Sequence, residues 1–152
     1  MRKTLAVQSV TGMANWRRKV LALFPGLRHD VQRPDFSISM VFFDLLPRVR
    51  VAHQDGDPEM LRRIYGFAEW CFEQKAKDLW NAAGVAFYEH LFDSHRSLWP
   101  EFVRRLSPRV VEGCMGVWGW RLSEEELAEG RRLLAECRKP LYQEARLTKS
   151  CT

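Results

Sequence analysis

The sequence predicts an all-α fold, and three observations carry that prediction. Apolar residues recur at the 3.6-residue period of a helix through most of the chain. Prolines, glycines and capping residues stand where those runs begin and end. Alternation with period two is confined to one short stretch, "RVRVA" at 48–52. About six helices are expected, most of them 9 to 18 residues long and joined by turns short enough to favour antiparallel hairpins. The capped helices invite comparison with the stacked helix pairs of helical-repeat proteins, although no sequence pattern repeats at a fixed period.

The first helix is read in "MANWRRKVLALF", where Trp16, Val20, Leu23 and Phe24 keep helical spacing around Arg17, Arg18 and Lys19, and "PG" at 25–26 ends it. A loop containing Pro34 follows. In "FSISMVFFDLLPRVRVAHQ" one face carries Ile38, Phe42, Leu45, Val49 and Ala52. Pro47 lies inside that run, and an internal proline removes a backbone donor and crowds the preceding turn, so a kink or break is expected there. "RVRVA" is the alternative, a short strand.

"DGDPEM" is the clearest punctuation. Gly56 supplies the turn, Asp57 the cap and Pro58 the first helical position. The helix it opens, about 58–74, puts Met60, Ile64, Phe67 and Cys71 on one stripe. The next, about 79–92 with Asp78 as its cap, is apolar on most faces and should therefore be central. "SLWPEFVRRL" reads as a short helix begun at Pro100. "SPRVVEGCMGVWGW" begins another with Ser107 as cap, and Gly113, Gly116 and Gly119 favour close helix contact there. In "SEEELAEGRRLLAECRKP", Ser123 and Glu126 form a capping box and Pro140 is the expected stop. Residues 1–141 are thus expected to form a single domain, with 142–152 as a flexible tail.

Composition supports a packed core. Of 152 residues, 46% are hydrophobic and 12% aromatic, with six Trp and nine Phe, which excludes a disordered chain. A chain of this length buries enough surface to fold without disulfides or metal. The net charge of +5 comes from eighteen Arg and six Lys, dispersed in pairs between apolar segments, and is compatible with a solvated helical exterior, nucleic acid or an acidic protein. Cys71, Cys114, Cys137 and Cys151 show no zinc-like spacing, and Cys71 and Cys114 read as small core residues. The start "MRKTLAVQSV" has the charge of a signal peptide, but Gln8 and Ser9 cut its apolar run short. No segment approaches the length of a membrane span, so a cytoplasmic protein with reduced thiols and no membrane association is expected.

The strongest chemical cluster is in "NAAGVAFYEHLFDSH", where Glu89, His90, Asp93 and His95 fall within seven positions. On a regular helix Glu89, His90 and Asp93 share one arc, beside Ala82 and Ala86. A carboxylate near an imidazole can orient a general base or hold a metal. There is no HExxH and no second histidine one turn away, so the favoured reading is a polar stripe bonded to an arginine of a neighbouring helix. Asn81 is expected among aromatic side chains, bonded to backbone or a buried partner. Trp118 and Trp120 in "GVWGWR" are candidates for a binding surface, and Arg17 and Arg18 are the best candidates for nucleic-acid contact. No phosphate-binding loop or nucleophile motif is present, and no metal or cofactor is expected.

"RIYGFAEWCFEQKAKDLWNAAGVAFYEHLFD" resembles a group of bacterial all-helical proteins in which an aromatic-rich helix is followed by a turn and a helix ending like "FYEHLFD". Such proteins include immunity proteins of toxin systems. The resemblance covers about residues 57–120 and favours binding to another protein, but it carries over no functional residues. The candidate contacts, Glu89, His90, Asp93, Trp118, Trp120, Arg17 and Arg18, come from the residues themselves. A basic chain suits an acidic partner surface and does not suit a nuclease toxin with a basic cleft. The alternatives are a nucleic-acid-binding helical module, or a small hydrolase or metal enzyme built on Glu89, His90 and Asp93.

Overall fold

In the computed structural model, residues 13–147 are described, with side chains as far as Cys137. The start "MRKTLAVQSV", Cys151 and the last five residues of the expected tail lie outside the described residues. Every regular element among the described residues is helical. Among the described residues there are eight α-helices where about six were expected, the excess being short pieces. They are α1 (Asn15–Leu23), α2 (Arg28–Val31), α3 (Ile38–Asp55), α4 (Pro58–Phe72), α5 (Lys77–Ala82), α6 (Trp99–Arg104), α7 (Pro108–Arg121) and α8 (Glu124–Leu147). None of the described helices is long and apolar enough to cross a membrane.

The helices group into two units, one ending at Ser37 and one beginning at Ile38. In the first, α1 is followed by a 3₁₀ turn at Pro25–Leu27 and by α2, a single turn inside what the sequence presents as loop. Val20, Phe24, Leu27, Val31 and Phe36 are buried. Arg17 on α1 donates to the carbonyls of Val31, Arg33 (3.0 Å) and Phe36 (2.6 Å), tying the segment after α2 back onto the helix.

In the second unit the apolar faces are those the period predicts. Ile38, Phe42, Leu45, Val49 and Ala52 of α3 are buried against α4 and the segment after α5. Of the stripe expected on α4, Ile64, Phe67 and Cys71 are buried, whereas Met60 is only partly covered. The expected caps are formed. Asp57 accepts from the Met60 amide (3.0 Å), Ser107 from Val110 (3.3 Å), and Ser123 and Glu126 exchange bonds of 3.2 and 2.9 Å. Gly56 takes the left-handed φ of +64° that the turn between α3 and α4 requires. Phe42 touches Phe67 and Phe87 (ring centroids 5.5 and 5.7 Å), and Phe92 meets Trp99 and Trp118 edge-on at 5.2 Å each, the geometry that aromatic quadrupoles favour.

Several expectations are corrected. Pro47 does not break α3, because proline's fixed φ is itself helical and only one donor is lost; "RVRVA" is helical, as its helical period has it, and the alternative strand does not form. α8 likewise continues past Pro140, the expected stop, to Leu147, so residues 142–147 are helical. α5 is begun by Ala76 without a side-chain cap, and Asp78 lies in its first turn. Of the three spaced glycines only Gly113 is closely approached: a Cβ there would stand 2.6 Å from the Phe72 ring, whereas nothing lies within 4 Å of one at Gly116.

The largest departure is the expected helix 79–92. α5 stops at Ala82, Ala83–Phe87 form a π-helical turn, and Tyr88–His90 a 3₁₀ turn. Phe87 leaves the helical basin (φ −122°, ψ −70°), which lets Phe87 face Phe42 and Tyr65 while Tyr88 meets Phe72. The segment is central, as expected, but Trp80 and Asn81 are exposed and are not part of a buried aromatic side.

Candidate functional site

A π turn followed by a 3₁₀ turn interrupts the regular i→i−4 ladder and changes which carbonyls need partners. Two long side chains bond to them. Trp118, only 2% exposed, donates its Nε1–H to the Tyr88 carbonyl at 2.8 Å. Arg50 of α3 donates to the His90 carbonyl at 3.0 Å. These bonds fix residues 88–90 against α3 and α7, and so fix the direction of the polar side chains that follow.

Those side chains converge on Arg121, the last residue of α7. Its guanidinium holds Asp93 with both Nη2 (2.6 Å to Oδ2) and Nε (3.3 Å to Oδ1), and its Nη1 reaches Glu89 at 3.4 Å. His90 Nδ1 stands 2.7 Å from the same Asp93 Oδ2. Burial on its own would raise the Asp93 carboxyl, but the hydrogen bonds and charges of Arg121 and His90 outweigh it and hold that group below the ordinary carboxylate range. Asp93 in turn raises the Arg121 guanidinium. The structure therefore brings Glu89, His90 and Asp93 together, and joins them to an arginine of a neighbouring helix. Among the described residues no group of three or more His, Cys, Asp or Glu is placed to hold a metal ion. His53 is engaged elsewhere, 2.9 Å from the Tyr65 hydroxyl.

Beside this cluster lies an open groove of about 640 Å³, lined by Glu89, Gly116, Val117, Trp120 and Arg121. Its charged wall is the Glu89–Arg121 pair, and Gly116 and Val117 contribute lining along α7. Trp120 is 92% exposed, which is unusual for the residue type with most to gain from burial.

The candidate contacts thus separate. Trp120 is on the surface, whereas Trp118 is a core side chain and unavailable as a surface contact. The two are about 200° apart around α7, so a helix with one side packed must bury one and expose the other. Arg17 spends its donors on backbone carbonyls and lies over the Trp16 ring at 4.6 Å, so it is committed to its own unit, while Arg18 is exposed. Arg121 and Arg50 were not singled out from sequence, and Gly116 was read as a close helix contact, whereas it lines the open groove. Only the basic end of α7 signalled Arg121, as a favourable charge at a helix C-terminus.

Residues 17–119 match the family model of a domain of unknown function, DUF7674. No curated protein and no solved structure matches the chain.

Proposed function

The chain belongs to the DUF7674 family, and from the residues of its own site we propose that it is a non-enzymatic helical domain that binds another protein through the Trp120 groove. The observation that carries this reading is an indole 92% exposed on a groove whose charged wall is already fixed. Burying such a ring against a partner regains on the order of 2–3 kcal/mol, and tryptophan and arginine are both residue types enriched in binding hot spots. The bonds of Arg121 to Asp93 and Glu89 hold the groove in one arrangement before any partner arrives, which lowers the ordering cost of association. The net charge of +5 supports a partner with an acidic surface. The narrower role, an immunity protein that neutralises a bacterial toxin in the cytoplasm, rests on the resemblance of residues 57–120 and would use the same groove.

The test is a capture from lysate, with and without nuclease treatment, using the tagged full chain and its Trp120→Ala variant in parallel. A stoichiometric protein held by the native chain, with affinity reduced about 30-fold or more by the substitution, is the expected result for a hot-spot tryptophan. Equal capture by both chains overturns the assignment of the groove. Bound material that disappears with nuclease favours the nucleic-acid alternative.

A further inference from the structure

A second apolar surface lies on α3, outside the Trp120 groove. Met40, Phe43, Pro47 and Val51 follow one another at intervals of three and four residues, which places them within about 80° of arc on one helical face. Phe43 is 62% exposed, Val51 52% and Met40 41%, and Pro47 is exposed as well. The opposite face of α3 is the one buried against α4 and the segment after α5. Beside this face lies an open groove of about 330 Å³, whose apolar lining is Pro47, Val51, Ala52 and Met60 of α4 and whose charged lining is Arg48, Asp55 and Asp57.

We propose that two copies of this chain associate through this face, α3 packing antiparallel on α3 about a two-fold axis that passes near Leu46. The charges beside the stripe name a second copy as the occupant. Asp44 and Arg48 lie on the same flank and already form an ion pair of 2.7 Å within the helix. In an antiparallel two-fold pair like flanks meet, and a contact of one residue with another is repeated in reverse. The register that opposes Asp44 to Arg48 of the second copy therefore also opposes Arg48 to its Asp44. That same register sets Phe43 between Pro47 and Val51 of the second copy, so charge pairing and apolar packing agree. A partner lacking the reversed pair of charges would satisfy only one of them. Met40 to Val51 spans about 16 Å of helix and offers on the order of 300–400 Å² per copy. That is about half the area a stable interface takes from each partner, so the dimer is a weak one.

Sedimentation equilibrium of the full chain, from about 10 μM to about 1 mM, covers the range in which an interface of this size associates. The average mass is expected to rise toward twice the chain mass. Phe43→Asp, at an exposed position, is expected to abolish the rise while leaving the helical circular dichroism and the melting temperature in place. Trp120→Ala is expected to leave the rise unchanged. Asp44→Arg and Arg48→Asp separately set like charges against each other and weaken association about tenfold or more. Mixed in equal amounts, those two variants restore both interchain pairs, although each still lacks its own intrahelical pair, so recovery on mixing reads the interchain contact alone. A native chain that stays monomeric across the range overturns the proposal. So does a dimer that tolerates Phe43→Asp, or one that depends on Trp120.

Discussion

His53 is half-buried between α4 and α6. Its Nε2 is 2.9 Å from the Tyr65 hydroxyl, and its ring lies against Phe102 with centroids 4.9 Å apart. Burial lowers its pKa, Arg105 lowers it further, and Glu101 opposes both without reversing them. The folded state therefore takes up the proton at lower pH than the unfolded state, whose histidine titrates near about 6.5. Above that value the protein keeps the full contribution. As pH falls from about 6.5 toward the folded pKa, only the unfolded chain gains the proton and stability is lost. The urea midpoint is thus expected to fall between pH 7.5 and 5.5, and a His53→Gln variant to show a smaller fall. Equal falls in the two proteins would contradict the assignment. At this scale much was legible from sequence. The three caps follow from Asp57, Ser107 and Ser123 standing before apolar runs, and Glu89 and Asp93 do meet an arginine of another helix. What stayed hidden was direction. "GVWGWR" says that one tryptophan faces inward, and only packing decides that it is Trp118. Arg17 reads as a free cation until the chain folds its own carbonyls onto it.

Elements were legible where a period and its boundary signals agree, as in α3, α4, α7 and most of α8. They were misread where a proline was taken as a full stop. α3 contains Pro47 at its exposed middle, and the helix persists because six buried side chains on the other face hold it there. An internal proline costs about 3 kcal/mol in an exposed helix. Replacing it restores a backbone donor and removes the clash with the preceding turn, while the freer unfolded chain takes back about 0.4–1 kcal/mol. Pro47→Ala is therefore expected to stabilise the protein by about 2–2.6 kcal/mol, measured as a higher denaturant midpoint at unchanged slope. No gain, or a loss, would mean that the ring makes contacts that the exposed position does not reveal. The break between α5 and the 3₁₀ turn had no such signal. "NAAGVAFYEH" has a helix-like composition, and the π turn at Ala83–Phe87 arises because Phe87 and Tyr88 are both buried, a demand set by α3, α4 and α7 and not by local propensity.

For the molecule as a whole, the distribution of charge weighs protein binding against nucleic-acid binding. The sequence gives a net charge of +5, yet much of the arginine is matched locally by carboxylates. Arg48 pairs with Asp44, Arg62 and Arg63 with Glu59, Arg96 with Glu125 and Glu129, Arg121 with Asp93, and Arg132 with Glu136. Such exposed pairs add little stability, but they shape the field: an arginine that faces its own carboxylate releases few counterions from DNA. Arg17, the centre of the most basic stretch, is spent on backbone carbonyls. Anisotropy titration of a labelled 20-base-pair duplex should accordingly show weak binding at about 50 mM salt and a shallow salt slope, corresponding to about two phosphates or fewer. A slope near −5 or steeper would mean that about five or six phosphates are engaged at once. That could arise only if the exchange of Arg–carboxylate pairs for Arg–phosphate pairs were favourable along one face. It would move the functional reading from the Trp120 groove to that face, because a groove lined by Glu89 beside Arg121 repels a polyanion as much as it attracts one.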